Sequence, residues 1–151
     1  HLSVEDNVRV ILDSLASPVR EKSEQVAAAL EYCGLLTKAR VPAGLLNAFE
    51  RRLIELARCM VGEPKVIMLD EPGGGLSQNE MQVLREKVGG IKKFCGAQVL
   101  IIDHDVEFIQ SICQSAIVLD FGSLIASGPT AAVLDDPRVR AAYLGIEETA
   151  P

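Results

Sequence analysis

Clustered basic charge, paired cysteine spacing and long apolar runs are all missing from this 151-residue chain. Its 15 lysines and arginines are outnumbered by 21 acids, for a net charge of −6, and they are scattered. A nucleic-acid or anionic-membrane surface needs an electropositive footprint, so no nucleic-acid partner is expected. Cys33, Cys59, Cys95 and Cys113 show no CxxC spacing. Three of them fall in apolar helical patterns, which predicts reduced, packed thiols rather than a disulfide frame or a zinc site. No stretch approaches the roughly twenty apolar residues that span a bilayer, and no signal-peptide pattern opens the sequence. The expectation is a cytoplasmic protein whose membrane role, if any, is peripheral. Internal repeats, low-complexity tracts and long charge blocks are also missing.

What is present begins with helices. Ser3 and Asp6 stand in capping register ahead of Val4, Val8, Ile11, Leu12 and Leu15 at helical spacing, and Ser17-Pro18 predicts the stop. A second helix is predicted from about Val19 to Cys33, with Gly34 as its left-handed cap. Leu35 to Leu45 reads as irregular. Asn47 and Glu50 open a third helix that closes at Gly62. The pattern then changes. Val66-Ile67-Met68-Leu69 ends in Asp70-Glu71-Pro72, Ser77 to Phe94 reads as a helix, and Val99-Leu100-Ile101-Ile102 ends in Asp103-His104-Asp105. Two buried strands joined by a crossover helix are forced parallel, with both carboxyl ends on one side, where ligands of open α/β sheets bind. A carboxylate pair and an imidazole at that edge suit metal-dependent phosphate chemistry. Beyond it, Val106 to Cys113 reads as a helix, and Ala116 to Leu119 with Leu124 to Ala126 as a hairpin around Asp120-Phe121-Gly122-Ser123. Two short helices follow, the last opening at Asp136-Pro137 and ending at Gly145.

VIMLDEP followed by GGGLS and then VLIIDHD resembles the second half of an ABC-type ATP-binding cassette, in which a Walker B strand, a D-loop and a switch histidine occur in that order. The ending VLDFGSLIASGPTAAVLDDPRVRAAYLG is similar to ATPase subunits of branched-chain amino-acid importers, and HLSVEDNV to the opening of the helical subdomain. The resemblance covers the whole chain. It implies an α/β, partial P-loop NTPase fold, with a helical subdomain over residues 1–62 and the C-terminal part of a RecA-like parallel sheet over 63–151. It further implies that Asp70 holds Mg²⁺, that Glu71 polarises the water attacking ATP, and that His104 contacts the γ-phosphate. Gly75 and Ser77 belong to the D-loop at a dimer seam, and Asn47, Ala48, Phe49 and Glu50 stand at the signature position that touches nucleotide. The partners implied are a second ATP-binding subunit and membrane permease subunits, whose coupling helix meets the subdomain bearing Val4, Val8 and Ile11. The setting implied is the inner face of the cell membrane.

Two departures qualify these expectations. No GxxxxGK[ST] occurs, so the phosphate-cradling loop is missing, and the chain is expected to be part of a longer ATPase, inactive alone. At the signature position Leu46-Asn47-Ala48-Phe49-Glu50 replaces a Leu-Ser-Gly-Gly-Gln-like sequence. Phe49 and Glu50 put bulk and negative charge where backbone should approach an anion. An asymmetric heterodimer is one expectation from this; the alternative is a non-catalytic cassette acting as a structural or regulatory partner.

Overall fold

The computed structural model describes residues 2–13, 15 and 19–144. They form two compact units, His1–Ile102 and Asp103–Pro151. The first unit contains α1 (Val4–Asp13), α2 (Val19–Tyr32), two short 3₁₀ turns at Leu36–Lys38 and Ala43–Leu45, α3 (Ala48–Met60), β1 (Val66–Asp70), α4 (Gln78–Cys95) and β2 (Gln98–Ile102). The change from helices to strand–helix alternation falls after Gly62, as the sequence pattern indicates, while the compact units divide forty residues later at Ile102. The predicted stop at Ser17-Pro18 and the helix end at Gly145 lie outside the described residues.

Three helices of this unit start in the same way. Ser3 Oγ accepts the Asp6 N–H at 3.2 Å while the Asp6 carboxylate accepts the Ser3 N–H at 3.1 Å. Asn47 Oδ1 accepts from Glu50 N–H at 2.8 Å and Glu50 Oε2 from Asn47 N–H at 3.2 Å. Ser77 and Glu80 repeat this at α4, with Glu80 Oε2 accepting the Ser77 N–H at 2.8 Å. Each pair satisfies two otherwise orphaned donors. Hydrogen bonds from Ser3, from Lys38 and from Ser77 hold the carboxyls of Asp6, Glu50 and Glu80 below their ordinary values of 3.8, 4.5 and 4.5. A carboxylate depressed in the folded state contributes stability that is full above its ordinary value and lost as pH falls through the depressed one. The thermal midpoint is therefore expected to drop below about pH 4.5. Combined Ser3→Ala, Lys38→Ala and Ser77→Ala substitution should flatten that acid limb in calorimetric scans, and an unchanged slope would contradict the assignment.

The buried stripe Val4, Val8 and Leu12 of α1 meets Val26, Ala29 and Leu30 of α2 and Leu53, Leu56 and Ala57 of α3 in one core. Val4 and Val8 are fully buried, so they are core rather than docking residues; Ile11 is exposed. α2 is tied to α4 by Tyr32, whose hydroxyl donates to the Lys87 carbonyl at 2.5 Å and whose ring lies 4.5 Å from that of Phe94. Gly90 makes this approach possible, since a Cβ there would stand 2.3 Å from Tyr32 Oη, whereas nothing lies within 4 Å of one at Gly89. Gly90→Ala is therefore expected to destabilise the chain by about 1–3 kcal/mol through overpacking. Gly89→Ala should gain about 0.5–1 kcal/mol from helix propensity alone. Urea unfolding of the two variants side by side checks the contrast, and equal signs would refute it.

β1 and β2 are parallel and in register from Val66↔Gln98 to Asp70↔Ile102. The expectation of two buried strands is corrected here. Ile67 is buried, but Val66, Met68, Leu100 and Ile102 are exposed, so this chain covers only one face of the pair. Continuous apolar runs encode burial on both faces of a parallel sheet, and one covering layer is not supplied within the unit. The thiols also differ from expectation: Cys33 is buried and pushed up to about 12 by burial, but Cys59 is exposed and Cys95 and Cys113 are half-buried.

The second unit holds α5 (Val106–Ile112), β3 (Ser115–Asp120), β4 (Ser123–Pro129), α6 (Thr130–Leu134) and α7 (Pro137–Leu144). β3 and β4 form the predicted antiparallel hairpin, longer than its apolar residues suggest, with an irregularity between Val118 and Leu119. Its turn is made by Phe121 and Gly122, both at positive φ (44° and 81°). Asp105 caps α5 by accepting the Phe108 N–H at 2.9 Å. Thr130 anchors α6, its hydroxyl donating to the Cys113 carbonyl at 2.7 Å, and Tyr143 of α7 donates to the Leu119 carbonyl at 2.6 Å. Asp136 accepts from Arg138 N–H at 2.9 Å at the opening of α7, as its position before Pro137 suggests.

Candidate functional site

Asp70 is the last residue of β1 and is exposed, so its carboxylate stands at the carboxyl edge of the parallel pair. Glu71 comes next and turns the chain. It takes φ 43°, the left-handed region that a non-glycine residue rarely enters. Two backbone bonds hold it there. Its N–H donates to the Ile102 carbonyl at 2.8 Å, extending the β1–β2 ladder by one rung, and its own carbonyl accepts from Gly74 N–H at 3.2 Å, closing a tight turn. Strain held by the surrounding backbone is a mark of positions whose side chain must be aimed. Pro72 and Gly73 are buried beneath this turn, and a Cβ on Gly73 would lie 2.2 Å from Met81 Cε. Gly75, at φ 76°, is exposed and leads to Ser77.

Ser77 is occupied structurally as the cap of α4, a role its spacing to Glu80 encodes and that the sequence reading passed over. Asn47 and Glu50 likewise cap α3, and Glu50 also pairs with Lys38, while Ala48 is exposed and Phe49 half-buried in its first turn. Farther along α3, Arg52, Glu55, Leu56 and Cys59 face Met68, Leu69 and Asp70 of β1 across a cavity of about 190 Å³. α3 and the strand carrying Asp70 thus line one cavity within the first unit. Arg52 at this wall was not singled out from the sequence, where it is one of two adjacent arginines.

Asp103 and His104 open the second unit. The Asp103 side chain is only 5% exposed and accepts the Asp105 N–H at 3.0 Å, a local turn that fixes the segment; His104 Nδ1 lies 3.7 Å from its carboxylate, and the imidazole is 78% exposed. Asp103 is a second residue to which the sequence reading gave no role, although its place between a strand and a capped helix is the signal for one. Among the described residues no group of three or more His, Cys, Asp or Glu side chains is arranged to hold a metal ion by itself. Mg²⁺ in phosphate chemistry needs no such cage, because one or two carboxylates suffice with water and substrate phosphates, and a single exposed carboxylate at a strand end fits that need.

Parallel strands ending in Asp-Glu and Asp-His, joined by a capped crossover helix and preceded by a three-helix pack, have the architecture of part of a P-loop ATP-binding cassette. Comparison with known structures agrees. The chain superposes on a metal-chelate type ABC transporter in an inward-facing conformation with a TM-score of 0.83, at 22% identity, covering 95% of this chain and 58% of that one. On cbiO1 from Clostridium perfringens, part of the ABC transporter complex cbiONQ, the TM-score is 0.82 at 25% identity, covering 92% and 55%. In sequence, residues 123–149 match the family model described as branched-chain amino acid ATP-binding cassette transporter. The chain is 36% identical over 126 residues to the high-affinity branched-chain amino acid transport ATP-binding protein BraF of Pseudomonas aeruginosa, which is 83% of this chain and 49% of BraF. It is similar to the ATP-binding cassettes of ABC transporters, the branched-chain amino-acid members among them, and spans about half the length of the curated relatives it matches.

Proposed function

We propose that this chain is part of the ATP-hydrolysing subunit of an ABC importer for branched-chain amino acids or related small polar solutes. The observation that carries the reading is the strained, doubly anchored backbone of Glu71 directly after Asp70 at the carboxyl edge of β1. Asp70 would hold Mg²⁺, which neutralises charge on the phosphates when bound. Glu71 accepts a proton from the attacking water, His104 donates to the terminal phosphate, and Gly75 and Ser77 lie at the seam with a second ATP-binding subunit. Phosphoryl transfer asks mainly for such positioning and charge complementarity. Membrane permease subunits complete the assembly, at the inner face of the membrane; among the described residues no helix is long and apolar enough to cross one.

Asn47, Ala48, Phe49 and Glu50 support a second element of the proposal. With Asn47 and Glu50 committed to capping and Glu50 to Lys38, they make a poor anion seat, so the chain would complete a partner's site weakly and hydrolysis in a heterodimer would be asymmetric. The same feature favours the rival reading of a non-catalytic, structural partner. A chimaera in which this chain replaces the matched 126 residues of BraF separates the two. Mg-ATP turnover at a rate within about tenfold of BraF supports the ATPase reading; binding without turnover supports the rival. The chain alone should show no saturable thermal shift with Mg-ATP, where a ligand at a hundredfold its Kd would add about 2.7 kcal/mol.

A further inference from the structure

We propose that Tyr32 is a positioning residue for Glu71: from the three-helix pack it fixes the orientation of α4, and α4 in turn holds the strained turn that aims the Glu71 carboxylate. That Glu71 is the group to be positioned rests on the proposed function. The mechanical link does not.

The link runs bond by bond from the turn into the helix. The Glu71 carbonyl accepts from Gly74 N–H at 3.2 Å, the Gly73 carbonyl from Leu76 N–H at 3.2 Å, and the Ser77 carbonyl from Met81 N–H at 2.9 Å. Ser77 is also locked to Glu80 by reciprocal capping bonds. A side chain adds to these steps: Gly73 is buried, and a Cβ on it would stand 2.2 Å from Met81 Cε, so Met81 lies directly against the turn. A tilt of α4 is therefore passed to Glu71.

What sets the tilt is farther along the same helix. α4 has 18 residues and is about 27 Å long, and a rod held only at its first turn can swing. At about 3.6 residues per turn, Lys87, Gly90 and Phe94 lie on the side of α4 opposite Met81. Tyr32 of α2 meets all three. Its hydroxyl donates to the Lys87 carbonyl at 2.5 Å, its ring lies 4.5 Å from that of Phe94, and Lys87 Nζ stands 5.3 Å from the ring centroid. The absence of a side chain at Gly90 admits the hydroxyl, because a Cβ there would meet Tyr32 Oη at 2.3 Å. A hydrogen bond is directional where ring packing is not, so the hydroxyl fixes the angle of the rod as well as its distance. α2 is itself anchored in the helical pack by the buried Val26, Ala29 and Leu30. Glu71 is thus held from two sides, by the Ile102 carbonyl across the strand pair and by α2 through α4.

Amide exchange in the full chain, followed by NMR, reads the link without nucleotide. Tyr32→Phe keeps the ring and removes only the donor. We expect it to speed exchange of the Glu71 and Gly74 amides about fivefold or more, while the amides of Leu12 and Leu56 in the α1–α3 core keep their rates. Met81→Ala should act in the same way from the other end, and Met81→Leu, which restores the bulk, should rescue. Because both variants act through α4, the double variant should exceed the larger single effect by less than the product of the two. Unchanged Glu71 and Gly74 exchange in Tyr32→Phe overturns the proposal, as does a uniform rise that includes Leu12 and Leu56, since that reports general loosening. Fully multiplicative effects overturn it too. In a BraF chimaera that turns over Mg-ATP, Tyr32→Phe should lower kcat about tenfold with KM nearly constant, the cost of a slightly misplaced group; an unchanged kcat there removes the catalytic consequence and overturns the positioning role. A parental chimaera that binds Mg-ATP without turnover sinks the ATPase reading instead, and the exchange rates alone then decide whether Tyr32 holds the turn.

Discussion

Glu71→Gln in the BraF chimaera is expected to lower Mg-ATP turnover about 10²–10⁴-fold, the range removed with a general base, while leaving nucleotide affinity within about threefold. The reasoning starts from the backbone. Glu71 N–H is fixed to the Ile102 carbonyl and its C=O to Gly74 N–H, neither of which depends on the side chain, so glutamine occupies the same place with the same shape. Only the capacity to take a proton is removed. The prediction is thus a loss in kcat with little change in KM, the pattern of an interaction made in the transition state. Glu71→Gly is a useful companion. It relieves φ 43° and should stabilise the turn while abolishing turnover, so activity and stability move in opposite directions. A Glu71→Gln chimaera that hydrolyses ATP at the parental rate would remove Glu71 from the mechanism and leave the structural-partner reading in its place.

The caps of α1 and α3, the parallel order of β1 and β2 and the hairpin of the second unit were legible because each is written in local spacing. Ser3 to Asp6 and Asn47 to Glu50 are three-residue signals, and two apolar runs with a helix between them admit one crossover hand. Ser77 and Glu80 carry the same spacing at the start of α4. What was not legible depends on what the rest of the chain does. The runs Val66–Leu69 and Val99–Ile102 encode burial on both faces, and nothing local says that one layer is not supplied within the unit. The positive φ of Glu71 has no residue signal, since the conformation is imposed by bonds to residues 74 and 102. Asp103 escaped a role because a buried acid that turns the chain and an exposed acid that binds a ligand look alike in sequence.

Two phenylalanines of the second unit, thirteen residues apart, should respond to alanine in opposite ways. Phe108 is 0% exposed and is the largest fully buried side chain of the second unit, where Thr130, Val133 and Val139 are buried too. Its N–H is held by Asp105 and its carbonyl accepts from Ser111 Oγ at 2.7 Å, so the backbone here is held against collapse into the void the ring would leave. Phe108→Ala is therefore expected to cost about 3–5 kcal/mol. A unit this small buries little surface on folding, and the loss should take most of its stability. Amide exchange should then speed up across α5, β3, β4 and α6, while the α1–α3 core of the first unit, built from its own residues, keeps its protection. Phe121 is 102% exposed at φ 44°. Its ring buries nothing and its backbone sits where a Cβ is strained, so Phe121→Ala should change stability by less than about 0.5 kcal/mol. Phe121→Gly, freed at positive φ, should gain by a few tenths, since the relieved strain outweighs the added chain entropy. Equal losses for Phe108→Ala and Phe121→Ala would mean that the hairpin tip is packed rather than free, and would overturn this account of the second unit.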